Sequence, residues 1–227
     1  VMISYLFLAC VREPINSMTT EANGYRHYFR KLPEIINQDH NYRNYLISIF
    51  FIQFIGMVNG LFTVAGIEKL NLSTAAANDI VGNFTVIYIL SQSLASIFWG
   101  YISDEQGHKV VILAAGLFNF LGVLTAVFAG EPVWFYFVFV CTGIALGGNM
   151  VSFMSIVPEF CLPSERPTYI ALANTIKGVT VAGVSLLGGL IADLSNYTVV
   201  FSIALVMIGV GTIILYFKVD EPRFTVK

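Results

Sequence analysis

Six apolar stretches recur along this chain, at 45–67, 80–101, 110–129, 133–156, 167–191 and 199–217, and short polar connections separate them. A helix needs about 20 mostly apolar residues to cross about 30 Å of hydrocarbon at 1.5 Å per residue. In lipid only helices and closed barrels satisfy their own backbone groups, and these runs lack the period-two alternation of barrel strands. The expected fold is therefore an all-α membrane protein with a six-helix transmembrane domain over 45–217. Composition agrees: 11% of the residues are charged, where a soluble domain carries about 25%.

The same composition removes several functions. A formal net charge of -2 gives no basic surface for nucleic acid, so only the placement of charges is informative. Cys10, Cys141 and Cys161 are too scattered for a disulfide framework or a zinc site and read as buried thiols. His27, His40 and His108 have no partner at ligand spacing. Gly143, Gly147 and Gly148 do not follow a strand, and no Walker loop is present, so neither a metal nor a nucleotide cofactor is expected. Inside the spans there is no pair of acids, no nucleophile with its base and no histidine set, so the chain does not read as an enzyme.

Six spans put both ends of 45–217 on one side. Arg12, Arg26, Arg30, Lys31, Arg43, Lys109, Arg166, Lys218, Arg223 and Lys227 fall on that side, Lys69 falls on the other and Lys177 lies within a span. By the positive-inside rule both ends are cytoplasmic, in a multi-pass protein of the plasma or inner membrane, with 218–227 as a cytoplasmic tail. Residues 1–14 are apolar up to Arg12-Glu13-Pro14 and read as the end of a truncated transmembrane helix. The competing signal peptide, with Cys10 lipid-modified, has no basic n-region. The linker over 15–44 is polar, yet Tyr25, Tyr28, Phe29, Leu32, Ile35 and Ile36 follow helical spacing. They predict a short amphipathic helix on the membrane surface, with a disordered tether as the alternative.

One connection carries a motif. Gly100-Tyr101-Ile102-Ser103-Asp104-Glu105-Gln106-Gly107-His108-Lys109 resembles the signature loop of the major facilitator superfamily, with Glu105 and His108 standing where that loop has basic residues. Physically, Gly100 permits a close helix contact, Asp104 offers a carboxylate to a helix amino terminus and Gly107 allows a tight turn. Glu159 followed by Arg166 resembles the family's acidic-and-arginine pair in a later loop. Val11-Arg12-Glu13-Pro14 and Val219-Asp220-Glu221-Pro222-Arg223 resemble each other, as the ends of the family's sixth and twelfth helices do. The resemblance covers the chain from the end of the sixth helix to the twelfth.

What it implies is a bundle of two inverted three-helix repeats, packed against a missing N-terminal six-helix half around a central cavity. The implied function is secondary active transport of a small solute by alternating access, coupled to protons or another ion. A standalone six-helix scaffold or partner subunit, or a homodimeric half-transporter, is the alternative. Gly100, Asp104, Gly107, Lys109, Glu159 and Arg166 would form a conformational latch, with Asp104 at a helix amino terminus and Arg166 or Lys109 closing ion pairs.

Polar residues sharing a helix face nominate the cavity: Gln53 and Asn59 in the first span, Gln92 in the second, and Asn149 in the fourth. Helix packing by the same amides is the open alternative. Lys177 is the sharpest feature. It lies ten positions after Pro167, which carries its Cα about 15 Å inward, near the middle of the hydrocarbon. An ammonium there needs a cavity, a carboxylate or neutralisation, so Lys177, with Asn174 one turn earlier, predicts a role toward an anionic substrate or in coupling.

Overall fold

A computed structural model describes residues 35–69 and 74–225. The expected end of a truncated helix at 1–14 and most of the expected surface helix, up to residue 34, lie outside the described residues. Ile35 and Ile36 fall in a single helical turn and pack against the nearby core.

Helix α1 (His40–Ile52) starts where the Asp39 carboxylate accepts from the Tyr42 N–H at 2.8 Å, which satisfies an orphan donor of the first turn. A 3-10 turn (Gln53–Met57) follows, and α2 (Leu61–Lys69) completes the first span. Then come α3 (Thr74–Gln106), α4 (His108–Phe128), α5 (Pro132–Ile156), α6 (Arg166–Leu194), α7 (Tyr197–Lys218) and the short α8 (Pro222–Thr225). Among the described residues six helical stretches are long and apolar enough to cross a membrane. Pro132 and Pro167 sit within the first two positions of α5 and α6, where the missing proline N–H costs nothing.

The first span is not the uninterrupted helix that its apolar run suggests. Its break is held by α6. Ser185 Oγ donates to the Gly56 carbonyl at 3.1 Å, so one acceptor freed by the break is satisfied inside the protein, as lipid requires. A side chain at Gly188 would place its Cβ 2.5 Å from the Met57 carbonyl oxygen, so α6 reaches the 3-10 turn only because that position is bare.

Packing follows an interleaved order. The broadest contacts join α3 to α5, α5 to α4, α4 to α7 and α7 to α1, while α6 rests on α1 and its 3-10 turn. Pairing the first span with α5, α3 with α6 and α4 with α7 maps these contacts onto one another, as two inverted three-helix repeats do. Each repeat thus lends a peripheral helix, α3 or α6, to the other. Gly143 and Gly147 make the α3–α5 seam: Cβ atoms there would lie 2.6 Å from the Tyr88 carbonyl and 2.7 Å from that of Gln92. Small residues one turn apart are how membrane helices approach when water supplies no driving force.

Two apolar clusters fill the bundle. One, at the end of the molecule where α7 begins, contains Phe62, Phe84, Phe135, Phe139 and Phe201; the other, at the end where α7 finishes, contains Tyr42, Tyr45, Phe160 and Tyr169. The second end is called the tail end below. Cys141 and Cys161 are buried and unpaired, and burial, with Glu165 nearby, pushes the Cys161 thiol up to about 11. Both are inert packing residues; Cys10 lies outside the described residues.

Candidate functional site

Two constellations stand out, a groove between α5 and α6 and a polar hub at the tail end. The groove arises because α5 is packed against α3 and α4 while α6 is packed against the first span, leaving the two facing each other across a gap. Its volume is about 650 Å³, and it is lined by Leu146, Asn149, Met150, Phe153, Asn174 and Lys177 with the small residues beyond them. Asn149, Asn174 and Lys177 therefore converge, although they come from different spans.

The Lys177 ammonium lies 3.8 Å from the centroid of the Phe153 ring, a cation–π contact worth about 0.5–2 kcal/mol depending on desolvation. Among the described residues no carboxylate comes within 4.0 Å of it. Helical side chains lean toward their own helix's amino terminus, and for α6 that is the tail end. Phe153 stands three residues before the end of α5 at Ile156, so the charge sits nearer the tail end than its Cα does.

The other cavity candidates divide. Gln92 reaches the groove's rim, its Nε2 donating to Met150 Sδ at 2.9 Å, while its carbonyl faces Gly147 in the α3–α5 seam. Gln53 lies in the 3-10 turn and Asn59 is exposed in the break before α2; neither lines this groove. Thr85 and Ser96 spend their hydroxyls on carbonyls four residues back, at 2.9 and 2.8 Å.

At the tail end α3 and α4 are joined by Gly107 alone, with φ 91° and ψ 166°, a region open essentially to glycine only. Glu221 fills the space this leaves. Its Oε2 accepts from the Lys109 N–H at 2.8 Å, so the carboxylate at the start of α4 comes from the tail. Asp104, expected there, is exposed, and its backbone carbonyl accepts from Arg223. The reason is direction: side chains at the end of α3 lean back toward its start and away from α4.

Arg223 organises the rest. Its Nε donates to Glu159 Oε1 at 3.1 Å, and one terminal nitrogen donates to the carbonyls of Asp104 and Ser103 at 3.0 and 3.3 Å. It thereby ion-pairs with α5's trailing turn and caps α3, a favourable place for a cation. His108 stands beside the pair, with Nδ1 3.3 Å from Ser152 Oγ and Nε2 3.9 Å from Glu159 Oε1. Asn41 exchanges two hydrogen bonds with the Asp220 backbone, at 3.0 and 2.8 Å, and Asn44 Nδ2 donates to the Lys218 carbonyl at 2.8 Å. Residues 218–223 therefore tie together α1, α3, α4, α5 and α7.

The expected latch residues fare unequally in this geometry. Gly107, Lys109 and Glu159 take part, and Lys109 Nζ also reaches the Tyr216 carbonyl at 3.3 Å. Arg166 is exposed at the first turn of α6 and makes no ion pair among the described residues; the partner of Glu159 is Arg223. A Cβ on Gly100 would meet nothing within 4 Å, so its bareness serves no contact among the described residues. Glu221, Arg223, Asn41 and Asn44 were not singled out as site residues, although an acid and a base flanking Pro222 just past the last span were the available signal.

These assignments separate on stability. Arg223→Gln is expected to cost about 1–2 kcal/mol, discounted for partial exposure, and Arg166→Gln less than about 0.5 kcal/mol. Thermal unfolding of the detergent-purified protein measures both, and equal losses would return Glu159 to Arg166.

A family model described as Major Facilitator Superfamily matches residues 45–226. The chain is 26% identical over 140 residues to Vacuolar basic amino acid transporter 1 of Saccharomyces cerevisiae, covering 61% of this chain and 25% of that protein. It is 26% identical over 156 residues to Multidrug resistance protein MdtG of Proteus mirabilis, 68% of this chain and 36% of that one. It is 26% identical over 134 residues to Niacin transporter NiaP of Acinetobacter baylyi, 57% of this chain and 29% of that one. The chain thus matches roughly a quarter to a third of the length of these relatives. A family match that begins within α1 and runs through the tail hub, on an all-helical bundle with six membrane-length spans, makes this chain a member of the major facilitator superfamily.

Proposed function

We propose that this chain is the carboxy-terminal half of a secondary transporter, which carries a small solute by alternating access between two six-helix halves. The observation that carries the reading is a groove that sets Lys177, Asn149 and Asn174 in an otherwise apolar lining, with one wall on α6, one of the two barest helices. In the most apolar stretches of α3 and α6 only 11% and 17% of residues are buried, against 39% or more in the other four spans. Asn83, Thr85 and Asn174 are exposed on those two helices. Amides at membrane depth call for protein or a water-filled cavity as their cover rather than lipid, and a second half supplies both. The relatives named as a basic amino acid transporter and a niacin transporter support the same class of function.

In this reading the tail end faces the cytoplasm of a cell whose plasma or inner membrane holds the protein, because its cations cluster there. The tail hub keeps this half rigid as the halves rock. Asp104 and Arg166, both exposed beside the hub, are left to latch against the other half, with Gly100 as the bare spot where that half approaches. An Asp104→Asn variant that folds and transports at the normal rate would remove Asp104 from the latch. Among the described residues no carboxylate lies midway along a span, so the coupling proton or ion is handled by the partner half.

Accessibility tests the carrier reading without a known solute. In full-length protein freed of native cysteines, single cysteines at Met154, by the tail-end mouth of the groove, and at Asn59, by the break in the first span, report on the two sides. Their reactivity toward a membrane-impermeant maleimide is expected to change in opposite directions when a pH gradient is imposed on proteoliposomes. Reactivities that stay fixed or move together under either polarity of the gradient would overturn alternating access and favour a scaffold.

A further inference from the structure

We infer that the groove between α5 and α6 selects an amphipathic organic monoanion: one carboxylate held by Lys177, with an apolar body lying along Leu146, Met150 and Val181. The inference rests on the carrier reading and adds to it the charge and shape of the cargo.

Lys177 is the one ionisable side chain lining the groove, and no acid lies within 4.0 Å of it among the described residues. Its resting partner is the Phe153 ring at 3.8 Å. A ring quadrupole stabilises an ammonium less than a carboxylate does in a partly desolvated site, where opposite charges attract strongly. The ammonium is thus parked on a partner that an anion can replace without breaking an ion pair. A cationic solute would meet a like charge, and a neutral one would leave the ammonium where it is.

The number of charges follows from the same inventory. This half brings a single cation to the groove, which matches a single carboxylate, and a second carboxylate finds no cation on the α5 and α6 walls. Asn149 and Asn174 add neutral donors beside Lys177, one on each wall, which suits the second carboxylate oxygen or a nearby hydroxyl. The remaining lining is apolar: Leu146, Met150, Phe153, Met154, Val181 and Ala182. Met150 and Met154 on the α5 wall adapt to variable apolar shapes, so the body is recognised by its greasiness more than by its outline. Polarity is also directional: the ammonium lies toward the tail end beside Phe153, while Leu146, Val181 and Ala182 lie toward the other end. The carboxylate therefore points to the tail end and the apolar body away from it.

The test is equilibrium binding to the full-length, detergent-purified protein, using a matched set: 4-phenylbutyrate, its primary amide, 4-phenylbutylamine and the dianion phenylsuccinate. The carboxylate is expected to bind at least about tenfold more tightly than each of the other three, as one desolvated charge pair dictates. Lys177→Gln removes that preference by weakening the carboxylate alone, and Lys177→Arg, which keeps the charge, retains most of it. Equal affinities across the set, a preference for the amine, or a carboxylate preference that survives in Lys177→Gln would each overturn the inference. Should Lys177→Gln fail to fold, the wild-type ranking and Lys177→Arg still decide. The outcomes stay separable from the carrier reading. A protein that lacks the anion preference yet shows reciprocal accessibility sinks only the substrate class, whereas one that prefers the anion with fixed accessibility sinks only the carrier.

Discussion

Gly107→Ala is expected to be the most damaging single-methyl change at the tail end, lowering stability by about 1–4 kcal/mol. Two independent costs meet at this residue. Its φ of 91° with ψ of 166° lies where a side chain costs about 1–3 kcal/mol. A Cβ there would also lie 2.6 Å from Glu221 Oε2, so the carboxylate that caps α4 must withdraw, forfeiting about 0.3–1 kcal/mol of helix-terminus attraction. At roughly 2–4 °C per kcal/mol for a chain of this size, the apparent melting temperature falls by about 3–16 °C. Gly130→Ala, whose Cβ meets nothing, supplies the control and changes little. A double-mutant cycle with Glu221→Ala identifies the source. Removing Glu221 also removes the collision, so the paired substitutions cost less than their sum. Strict additivity would mean that backbone strain alone is responsible and that Glu221 stands clear of the turn in solution.

The second large effect is expected at the α3–α5 seam. Gly147→Leu is predicted to displace α3 and to cost at least about 3 kcal/mol, beyond ordinary overpacking. What a side chain there would strike is mainly backbone: the Gln92 carbonyl at 2.7 Å and the Ser96 amide nitrogen at 3.1 Å. A helix backbone cannot swing aside as a side-chain tip can, so the whole of α3 must shift. Helix α3 has little else to hold it, because its broadest contact by far is with α5 and only a small fraction of its apolar stretch is buried. The readout is twofold. Purified Gly147→Leu protein elutes early or as aggregate in detergent, and limited proteolysis cuts at the α2–α3 connection or at Gly107. Gly178→Leu, at a position where a Cβ has open space, is expected to leave both unchanged. A Gly147→Leu protein with wild-type melting and proteolysis would show that the two helices are not in contact there.

Much of this architecture is local in origin, which is why it was legible early. The cost of moving unsatisfied peptide groups into hydrocarbon leaves an apolar run of about 20 residues a single regular option, and all six runs became membrane-length helices. Helices extend past the apolar runs, α1 beginning at His40 and α3 ending at Gln106, because helices continue into the interface, where charged residues are tolerated. The exception is instructive. Nothing in the run at 45–67 demands a break, since its glycines are as common in straight membrane helices. The break exists because α6, a helix more than a hundred residues later, brings Ser185 to Gly56 and the bare Gly188 to Met57.

Site residues obeyed the same division. Lys177, Asn174 and Asn149 could be named from the sequence because a charge or amide at membrane depth is costly wherever it ends up; that they share one groove is a fact of packing. The hub shows the converse. Asp104 and Arg166 matched a motif by spacing, yet in this geometry Glu221 and Arg223 hold the positions beside α4 and Glu159. Spacing along a chain does not say which carboxylate reaches a helix end across 112 residues.

What the sequence determined alone was therefore the solvent, the number of spans and the sign of the buried charge, since each follows from the transfer energy of a residue or a short run considered by itself. Tertiary structure decided which helix breaks, which acid caps α4 and which residues face one another across the groove. Those outcomes depend on distances between segments far apart in the chain, and such distances come into being only when the helices pack.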